Sequence, residues 1–223
     1  MHRYKNILII GTSHIAVESV RTVERVISEE KPELVALELD HARFQALSSP
    51  VKRKLKLSDM RQVGVKGWVF AFFGELVERK LGEKVGVSPG AEMLKAAQIA
   101  KEHNCKVALI DQRIDVTLRN FSKAVTWKEK FRFLADLIKA PFSKKKVKID
   151  LRKVPEEKLV QEMIGQVKDR YPNVYKVLVD DRNKYMARQL FRLMNQCGSI
   201  VAVVGAGHEK EIVEEIKKLE LTA

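Results

Sequence analysis

Two of the five histidines in the chain occur in the same local pattern, once near each end. An apolar run leads into Gly11-Thr-Ser-His14, and another leads into Gly205-Ala-Gly-His208, each followed by an amphipathic segment. Each unit predicts a strand, a Gly-x-x-His turn and a helix. A residue that ends a strand and opens a helix lies where α/β sheets bind ligands. Because the helix N-terminus disfavours the imidazolium ion, both histidines are expected to be neutral and able to bind a metal or accept a proton.

Titratable side chains follow two further apolar runs. Glu38 follows the run Leu34-Val-Ala-Leu37, and Asp111 and Arg113 follow a run that ends at Ile110. If all four strands are parallel, their carboxyl ends share one edge of the sheet and these groups converge with the two histidines. Two neutral imidazoles with one or two carboxylates suit a divalent ion such as Mn, Fe, Co or Zn that keeps open positions for water. Such an ion makes hydroxide available near neutral pH.

Each of these residues has a candidate role and a simpler explanation. The expected metal ligands are His14, His208 and Glu38. Glu38 is also a candidate catalytic base, while Arg43 and Arg113 are candidate catalytic residues that hold a carboxylate or meet a developing negative charge. Alternatively, either histidine fits a solvated position in the first turn of a helix. Glu38 then fits an exposed charge, and Asp111 with Arg113 fits a structural ion pair.

The composition bounds the class of protein without choosing a ligand. The 223 residues carry a formal net charge of +13, with 45% hydrophobic and 32% charged residues, which suits one folded domain with a well-solvated surface. A basic balance is typical of proteins that bind nucleic acid, anionic membranes or acidic ligands. The bases are spread along the chain without interleaved aromatic residues, which argues against nucleic acid as a partner. Cys105 and Cys197 fit reduced thiols of an intracellular protein.

Apolar runs that alternate with helical patterns predict an α/β fold with a central, mixed and largely parallel sheet, in a single domain over residues 1–223. Residues 42–84 lack a clean strand and are expected to form a helical insertion. Residues 139–150 carry five lysines and a proline, which predicts a basic loop. No signal peptide is found, and no run reaches the ~18 apolar residues of a membrane span. We expect the protein in the cytoplasm or at the cytoplasmic face of a membrane.

The apolar segment Gly67-Trp-Val-Phe-Ala-Phe-Phe-Gly74 is too short to cross a membrane. Its large apolar side chains are expected to be hidden, either in the core or at a contact with a partner. We favour a homodimer contact, because residues 60–80 lie between the predicted strand units, where an insertion sits on the surface. Contact with a membrane surface is the alternative, since several lysines and arginines precede the segment.

An ordered set of short motifs covers nearly the whole chain. The motifs are Gly11-Thr-Ser-His14, Val35 to Arg43, Pro89-Gly-Ala-Glu-Met93, Ile110 to Arg119, Asp181-Arg-Asn-Lys-Tyr-Met186 and Val203-Val-Gly-Ala-Gly-His208. With these motifs the chain resembles the TraB/PrgY family of pheromone-shutdown proteins. That family is related to the Tiki metalloproteases, GumN-like proteins, ChaN-like haem-binding proteins and erythromycin esterases. Each motif alone is weak, but the ordered set is specific.

The resemblance implies an α/β sandwich built from two related strand–Gly-x-x-His–helix halves, with the site between them. It also implies that both motif histidines, Glu38 and Arg43 line that site. The other candidate site residues in the matching motifs are Gly11, Ser13, Glu92, Asp111, Gly205 and Gly207. Microbial TraB proteins often continue into C-terminal membrane helices. Since this chain stops at Ala223, we expect a trimmed, soluble domain.

The chemistry of the related proteins varies, so fold alone does not decide it. In Tiki-like relatives the arrangement serves metal-dependent peptide hydrolysis, and in the esterases a histidine activates water without an essential metal. In ChaN-like relatives the site region binds haem. We therefore predict a metal-dependent hydrolase that acts on a peptide of the pheromone or signal type, or on another small molecule. The alternative is a regulatory protein that binds or sequesters a peptide or haem without turnover.

Overall fold

The structure is a computed structural model that describes residues 1–12, 17–49, 90–139 and 157–222. A five-stranded sheet runs through its centre. The strands are β1 (His2–Tyr4), β2 (Ile7–Thr12), β3 (Leu34–Leu37), β4 (Lys106–Leu109) and β5 (Ile200–Gly205). Their order is β1-β2-β5-β3-β4, with β1 antiparallel to β2 and every other neighbouring pair parallel. This arrangement confirms the predicted α/β fold with a mixed, largely parallel sheet.

The central strands are apolar along their length because both of their faces are covered. β2 and β5 consist mainly of isoleucine, leucine and valine, and β-branched residues suit an extended chain. Every residue of β3 and β5 is buried, as expected for parallel strands with helices on both faces. β5 lies between β2 and β3, and it pairs Gly205 with Thr12 and Val203 with Leu37. The carboxyl ends of these strands therefore lie at one edge.

Helices cover both faces of the sheet and produce an α/β sandwich. The described helices are α1 (Val17–Glu30), α2 (His41–Ser48), α3 (Ala91–Glu102), α4 (Ile114–Ala124), α5 (Trp127–Lys139), α6 (Glu157–Arg170), α7 (Pro172–Tyr175), α8 (Asp181–Met194) and α9 (Glu209–Thr222). On one face α1 and α3 pack against strand residues such as Ile10 and Leu37. On the other face α8 and α9 pack against residues such as Ile9 and Val204. Successive residues of a strand point to opposite faces, so each central strand contributes to both cores.

The helix that precedes β5 is interrupted by one π-helical segment. The sequence predicts a single helix over residues 173–197, but the structure has α7, then a π-helix over Lys176–Asp180, and then α8. The backbone N–H of Asp181 donates to the carbonyl of Lys176, five residues earlier. Such turns occur frequently at functional sites, and this one lies directly before the residues of α8 that reach the carboxyl edge of the sheet.

Two elements of the structure are not predicted by the sequence, and two predicted segments lie largely outside the described residues. The sequence does not predict β1, which is three residues long, or α4. α2 begins the predicted insertion, but residues 50–89, with the apolar segment 67–74, lie outside the described residues. The same holds for the predicted basic loop from residue 140 onward. Among the described residues, no helix has the length and apolar character to cross a membrane.

Candidate functional site

Polar groups that follow three of the parallel strands meet at the carboxyl edge of the sheet. Glu38 directly follows β3, Asp111 lies two residues beyond the end of β4, and His208 lies between β5 and α9. Glu38 and Asp111 are buried, with 2% and 6% of their surface exposed. The guanidinium of Arg182, on α8, contacts all three side chains. We call these four residues the strand-end cluster.

Every guanidinium nitrogen of Arg182 has a partner. Nε and Nη2 donate to the two oxygens of Asp111 at 3.0 and 2.8 Å. Nη2 also donates to Oε1 of Glu38. Nη1 donates to the carbonyl of Leu178 at 3.3 Å and lies 3.4 Å from Nε2 of His208. Because a guanidinium has five N–H donors, these five contacts account for its full donor capacity.

The surroundings of Arg182 hold its charge in place. Its side chain is only 16% exposed. Burial alone would lower the pKa of the guanidinium, but the carboxylates of Glu38 and Asp111 outweigh burial and raise that pKa. The arginine is therefore a permanent cation. It compensates two buried carboxylates, each of which would be costly to bury without a partner.

Glu38 joins β3 to β5 as well as contacting Arg182. Its Oε2 accepts a hydrogen bond from the backbone N–H of Gly205 at 2.6 Å. Its own backbone N–H donates to the carbonyl of Val203 at 3.0 Å. Its Oε1 lies 3.4 Å from Nε2 of His208. One carboxylate thus contacts the backbone of the second Gly-x-x-His motif, the imidazole of the same motif and the buried guanidinium.

The contacts of His208 define the protonation of its neutral ring. Nδ1 lies 2.6 Å from Oδ1 of Asn183, and Nε2 faces Nη1 of Arg182. An amide oxygen can only accept, so the short contact with Asn183 places the proton of the neutral ring on Nδ1, and Nε2 is then the acceptor that faces Arg182. The N–H at Nδ1 then donates to Asn183, which is 1% exposed. The amide nitrogen of Asn183 has no hydrogen-bond partner among the described residues.

Arg43 reaches the strand-end cluster from α2. Asp40 caps that helix, because its Oδ1 accepts the backbone N–H groups of Ala42 and Arg43 at 2.8 and 3.1 Å. The cap fixes the first turn of α2, which carries Arg43. Nη1 of Arg43 lies 3.4 Å from Oδ2 of Asp111, and its side chain is 36% exposed. Arg43 is thus more accessible to a ligand than the saturated guanidinium of Arg182.

The chain resembles one known family over nearly its whole length. The sequence model of the TraB/PrgY/gumN family matches residues 2–220. The chain belongs to this family. The match confirms the resemblance inferred from the ordered motifs. It also includes the stretch of α8 that carries Arg182 and Asn183.

The relatives within this family are longer than the chain. An uncharacterized protein of Methanocaldococcus jannaschii is 38% identical over 223 residues, which cover 96% of this chain and 54% of the relative. The TraB domain-containing proteins of Homo sapiens and Bos taurus are 28% and 26% identical over 234 residues. These alignments cover 91% of the chain and 60% of each relative. The chain therefore spans somewhat more than half the length of the relatives it matches.

One solved structure aligns along most of the chain. It is titled as cofacial heme binding to ChaN of Campylobacter jejuni, and the alignment covers 96% of this chain and 77% of ChaN. Its TM-score is 0.39 and its sequence identity is 12%. Values this low carry no argument about the site or the ligand of the TraB-family chain.

Not every predicted site residue joins the strand-end cluster. The side chain of Arg113 is 75% exposed, and its guanidinium donates to Asp115 at 2.9 and 3.1 Å. Asp111 pairs with Arg182 instead, so the alternative of a structural ion pair between Asp111 and Arg113 is wrong. Glu92 is buried in the first turn of α3.

The glycines of the two Gly-x-x-His motifs act through their backbone, either by allowing close packing or by donating an N–H group. Gly11 lies against the side chain of Glu209, and a Cβ at that position would also lie 3.0 Å from Cα of Ala206. Gly11 therefore allows the turn after β5 to approach β2 closely. Gly205 provides the N–H that Glu38 accepts. A Cβ on Gly207 would lie 3.2 Å from a side-chain carbon on α6.

The described donors do not fit a divalent ion in their present arrangement. The two oxygens of Asp111 already accept two N–H groups from Arg182, the backbone N–H of Gln112 at 2.7 Å and a contact from Arg43 at 3.4 Å. A dication bound to Glu38 would lie beside the guanidinium. At 4 Å and an effective dielectric constant of 20, these two charges repel by about 8 kcal/mol.

The predicted metal site also includes a histidine beyond the described ranges. Ser13 and His14 lie outside the described residues. Within the described ranges, no group of three or more His, Cys, Asp or Glu side chains is placed to hold a metal. The ligand set of His14, His208 and Glu38 therefore stays a prediction.

Proposed function

We propose that the chain is a hydrolase whose active site is the strand-end cluster, with His208 as the proton acceptor. The contacts of the imidazole carry this proposal. On one side Nδ1 is held by Asn183 at 2.6 Å, while on the other side Nε2 lies 3.4 Å from Arg182 and 3.4 Å from Glu38. A base held firmly through one nitrogen, with its second nitrogen toward the reaction, is the arrangement that acid–base catalysis requires.

In the proposed reaction, a water oxygen forms a bond to the carbonyl carbon of the substrate as Nε2 of His208 accepts one of its protons. The bond from that carbon to the leaving nitrogen or oxygen then breaks, and the proton passes from Nε2 to the leaving group. Glu38 stabilises the transient imidazolium from 3.4 Å. Long contacts in the free protein are compatible with this role, because catalytic hydrogen bonds often shorten only in the substrate complex.

The proposed substrate is a peptide, and Arg43 would bind its negative charge. Arg43 is partly exposed beside a cluster in which Arg182 has no donor left. A guanidinium can bind a carboxylate through two parallel hydrogen bonds, so a peptide with an acidic group or a free carboxyl terminus fits this position. The peptide class itself rests on the family resemblance. The activity of the longer relatives is likewise a proposal for this chain.

Four predictions from the sequence, on the metal, the alternative function, the contact surface and the location, are kept as proposals. A divalent ion held with His14 would activate water in place of a histidine base. Binding or sequestering of a peptide or haem without turnover is the alternative function. A homodimer contact, or a contact with a membrane surface, through segment 67–74 concerns residues outside the described ranges. The cytoplasm or the cytoplasmic face of a membrane is the proposed location.

A peptide-library assay tests hydrolysis directly. The chain is incubated with the library after chelation, and again with Mn, Co and Zn added separately. Replacement of the base, in His208→Gln, should lower the cleavage rate by roughly a hundredfold or more. Glu38→Gln should also lower it. His103→Gln is the matched control, because His103 is exposed and Ser28 at 3.2 Å is the one contact described for its ring.

The outcomes separate the candidate functions. Cleavage after chelation that is lost in His208→Gln supports the proposed base. Cleavage only with added metal favours the metal-dependent reaction instead. An equal rate in His208→Gln, or no cleavage under any condition, contradicts the proposed hydrolase. If a peptide or haem then binds tightly and His208→Gln weakens it, the sequestering function takes its place.

A further inference from the structure

We infer that the guanidinium of Arg182 is the resident cation of the strand-end cluster and stands where a divalent ion would otherwise be needed. The inference rests on the proposed site but not on the proposed hydrolysis. It departs from the metal site that the sequence predicts. Three features of the described residues carry it: the N–H donors already on the carboxylate oxygens, the saturation of the guanidinium and the balance of charge.

The first feature is that the oxygens a metal would use already have donors. A carboxylate offers about four lone-pair directions, and Asp111 has four N–H contacts. Glu38 accepts from Arg182 through Oε1 and from the backbone of Gly205 through Oε2. A metal could bind Asp111 only after an N–H group had been displaced from it, and at Glu38 it would have to share each oxygen with an N–H donor.

The second feature is that all five N–H groups of the Arg182 guanidinium have contacts that hold it in place. It donates to both oxygens of Asp111, to Glu38 and to the carbonyl of Leu178. Leu178 belongs to the π-helical segment directly before α8. Movement of the guanidinium to admit an ion would therefore break contacts with two strand ends and with its own helix. A lysine has three donors on one nitrogen and cannot make the same five contacts.

The third feature is that the strand-end cluster and Arg43 together are electrically balanced. Glu38 and Asp111 supply two negative charges, and Arg182 and Arg43 supply two positive charges within 3.4 Å of Asp111. A divalent ion would add two uncompensated charges to this cluster. Removal of Arg182 would leave two buried carboxylates beside an imidazole, which is a donor set that divalent ions bind.

The test measures metal binding without using hydrolysis. Thermal melting is followed for the wild-type chain, Arg182→Ala, Glu38→Gln and the double variant Arg182→Ala/Glu38→Gln. Each is measured with a chelator and with increasing Mn, Co or Zn. Ligands that bind the folded state raise the melting temperature by mass action. Arg25→Ala is the matched control, since Arg25 forms only an exposed pair with Glu29 at 3.7 Å in the described part of the chain.

We expect the same response to metal in the wild type, Glu38→Gln and Arg25→Ala, because only surface histidines then contribute. Arg182→Ala should show an additional metal-dependent rise, with binding at least tenfold tighter than in the wild type. The double variant should lose that rise. A wild-type rise that Glu38→Gln abolishes would mean a resident ion and would overturn the inference. So would an Arg182→Ala variant that responds no more than the double variant.

A folding failure of Arg182→Ala leaves the inference testable. In that case the comparison of wild type with Glu38→Gln decides, because equal metal responses support a resident guanidinium and a response lost in Glu38→Gln contradicts it. No arm of the test depends on a substrate. Failure of the proposed hydrolase and failure of this inference are therefore distinguishable.

Discussion

The Nδ1 atom of His208 lies 2.6 Å from Oδ1 of Asn183, the residue that follows Arg182 on α8. Two adjacent residues of one helix thus contact the two nitrogens of one imidazole. Neighbouring positions on a helix usually face different directions. Here the imidazole of His208 lies between Arg182 and Asn183. The contacts from α8 therefore fix both the orientation of the ring and its tautomer. The second Gly-x-x-His motif therefore depends on a helix that precedes it in the sequence.

The first prediction concerns the tautomer of His208. Asn183→Asp keeps an oxygen acceptor for the N–H at Nδ1 and should preserve the tautomer. Asn183→Leu removes the acceptor, and the buried N–H left without a partner should lower the free energy of unfolding by about 1–3 kcal/mol. Long-range ¹H–¹⁵N NMR of the imidazole nitrogens at one fixed pH reports the tautomer. If the proposed hydrolysis holds, Asn183→Leu should also lower its rate by roughly 10- to 100-fold, as for other residues that orient a functional histidine.

The matched control for this prediction is Asn195→Leu at the end of α8. The side chain of Asn195 donates to the carbonyl of Phe191 on the exposed surface. Its replacement should leave the NMR signals of His208 unchanged. Identical ring signals in Asn183→Leu and the wild type would show that Asn183 does not set the tautomer.

The convergence of three polar strand ends could be predicted from the sequence. Glu38, Asp111 and His208 each follow an apolar run, and parallel strands end at the same edge of a sheet. The prediction needed only that the strands be parallel, which the apolar character of the runs favours. The order of the strands could not be predicted in the same way. Nothing in the local sequence indicates that β5 inserts between β2 and β3, because that choice depends on how the helices pack.

The central position of Arg182 could not be predicted either. It lies between Asp181 and Asn183 on a helix with many charged residues, and such a pattern is typical of a solvated face. Its burial depends on which face of α8 meets the sheet edge, and the side chain is only 16% exposed there. The family motif around Asp181–Met186 was the only signal in the sequence. Arg113 is the opposite example. It follows an apolar run, which predicts a place in the site, but its guanidinium donates to Asp115 in the helix that follows it.

The second prediction concerns the stability that Arg182 provides. Arg182→Ala leaves Glu38 and Asp111 buried with fewer donors, and removal of one partner of a buried ion pair costs about 3–5 kcal/mol. Urea unfolding should show a decrease of this size. Arg25→Ala on α1 should change the free energy of unfolding by less than about 1 kcal/mol, because exposed pairs contribute little. Similar changes in the two variants would contradict the central role of Arg182.

The third prediction compares two glycines. A Cβ on Gly11 would meet the side chain of Glu209 and the backbone of Ala206, so Gly11→Ala should destabilise the protein by about 1–3 kcal/mol. Gly165 lies inside α6, and a Cβ there meets no atom of the described residues within 4 Å. Gly165→Ala should therefore stabilise the protein by about 0.5–1 kcal/mol through helix propensity. Urea unfolding measures whether the free energy of unfolding falls in Gly11→Ala and rises in Gly165→Ala. A change in the same direction in both variants would contradict the close approach of the turn after β5 to Gly11.

The fourth prediction concerns the two motif histidines. β2 and β5 are neighbours, and Thr12 pairs with Gly205. His14 lies two residues beyond Thr12, and His208 lies three beyond Gly205. We expect the two rings to lie within about 8 Å of each other, close enough to share a water or an ion with metal–nitrogen bonds of ~2.0–2.1 Å. A crystal structure measures this distance, and rings on opposite faces of the domain would exclude a shared site.

The last prediction depends on Glu129, which anchors the start of α5. Thr126 and Glu129 form a reciprocal capping pair, because each side chain accepts the backbone N–H of the other residue at 3.3 and 3.2 Å. The carboxylate also accepts the backbone and side-chain N–H groups of Asn173, both at 2.9 Å. Burial raises the pKa of Glu129, but these hydrogen bonds from Asn173 and Thr126 outweigh it and leave the pKa below its usual value.

A lowered pKa in the folded state makes the contribution of Glu129 depend on pH. The stabilisation is fully present above the pKa of an unfolded glutamate, about 4.3, and it is lost as the pH falls through the lower pKa of the folded state. The difference in unfolding free energy between wild type and Glu129→Gln should therefore be larger at pH 7 than at about pH 3. Denaturant titrations at both pH values measure it, with Glu162→Gln on the exposed face of α6 as the control. A difference that stays constant, or grows as the pH falls, would mean that the ionised carboxylate does not anchor α5.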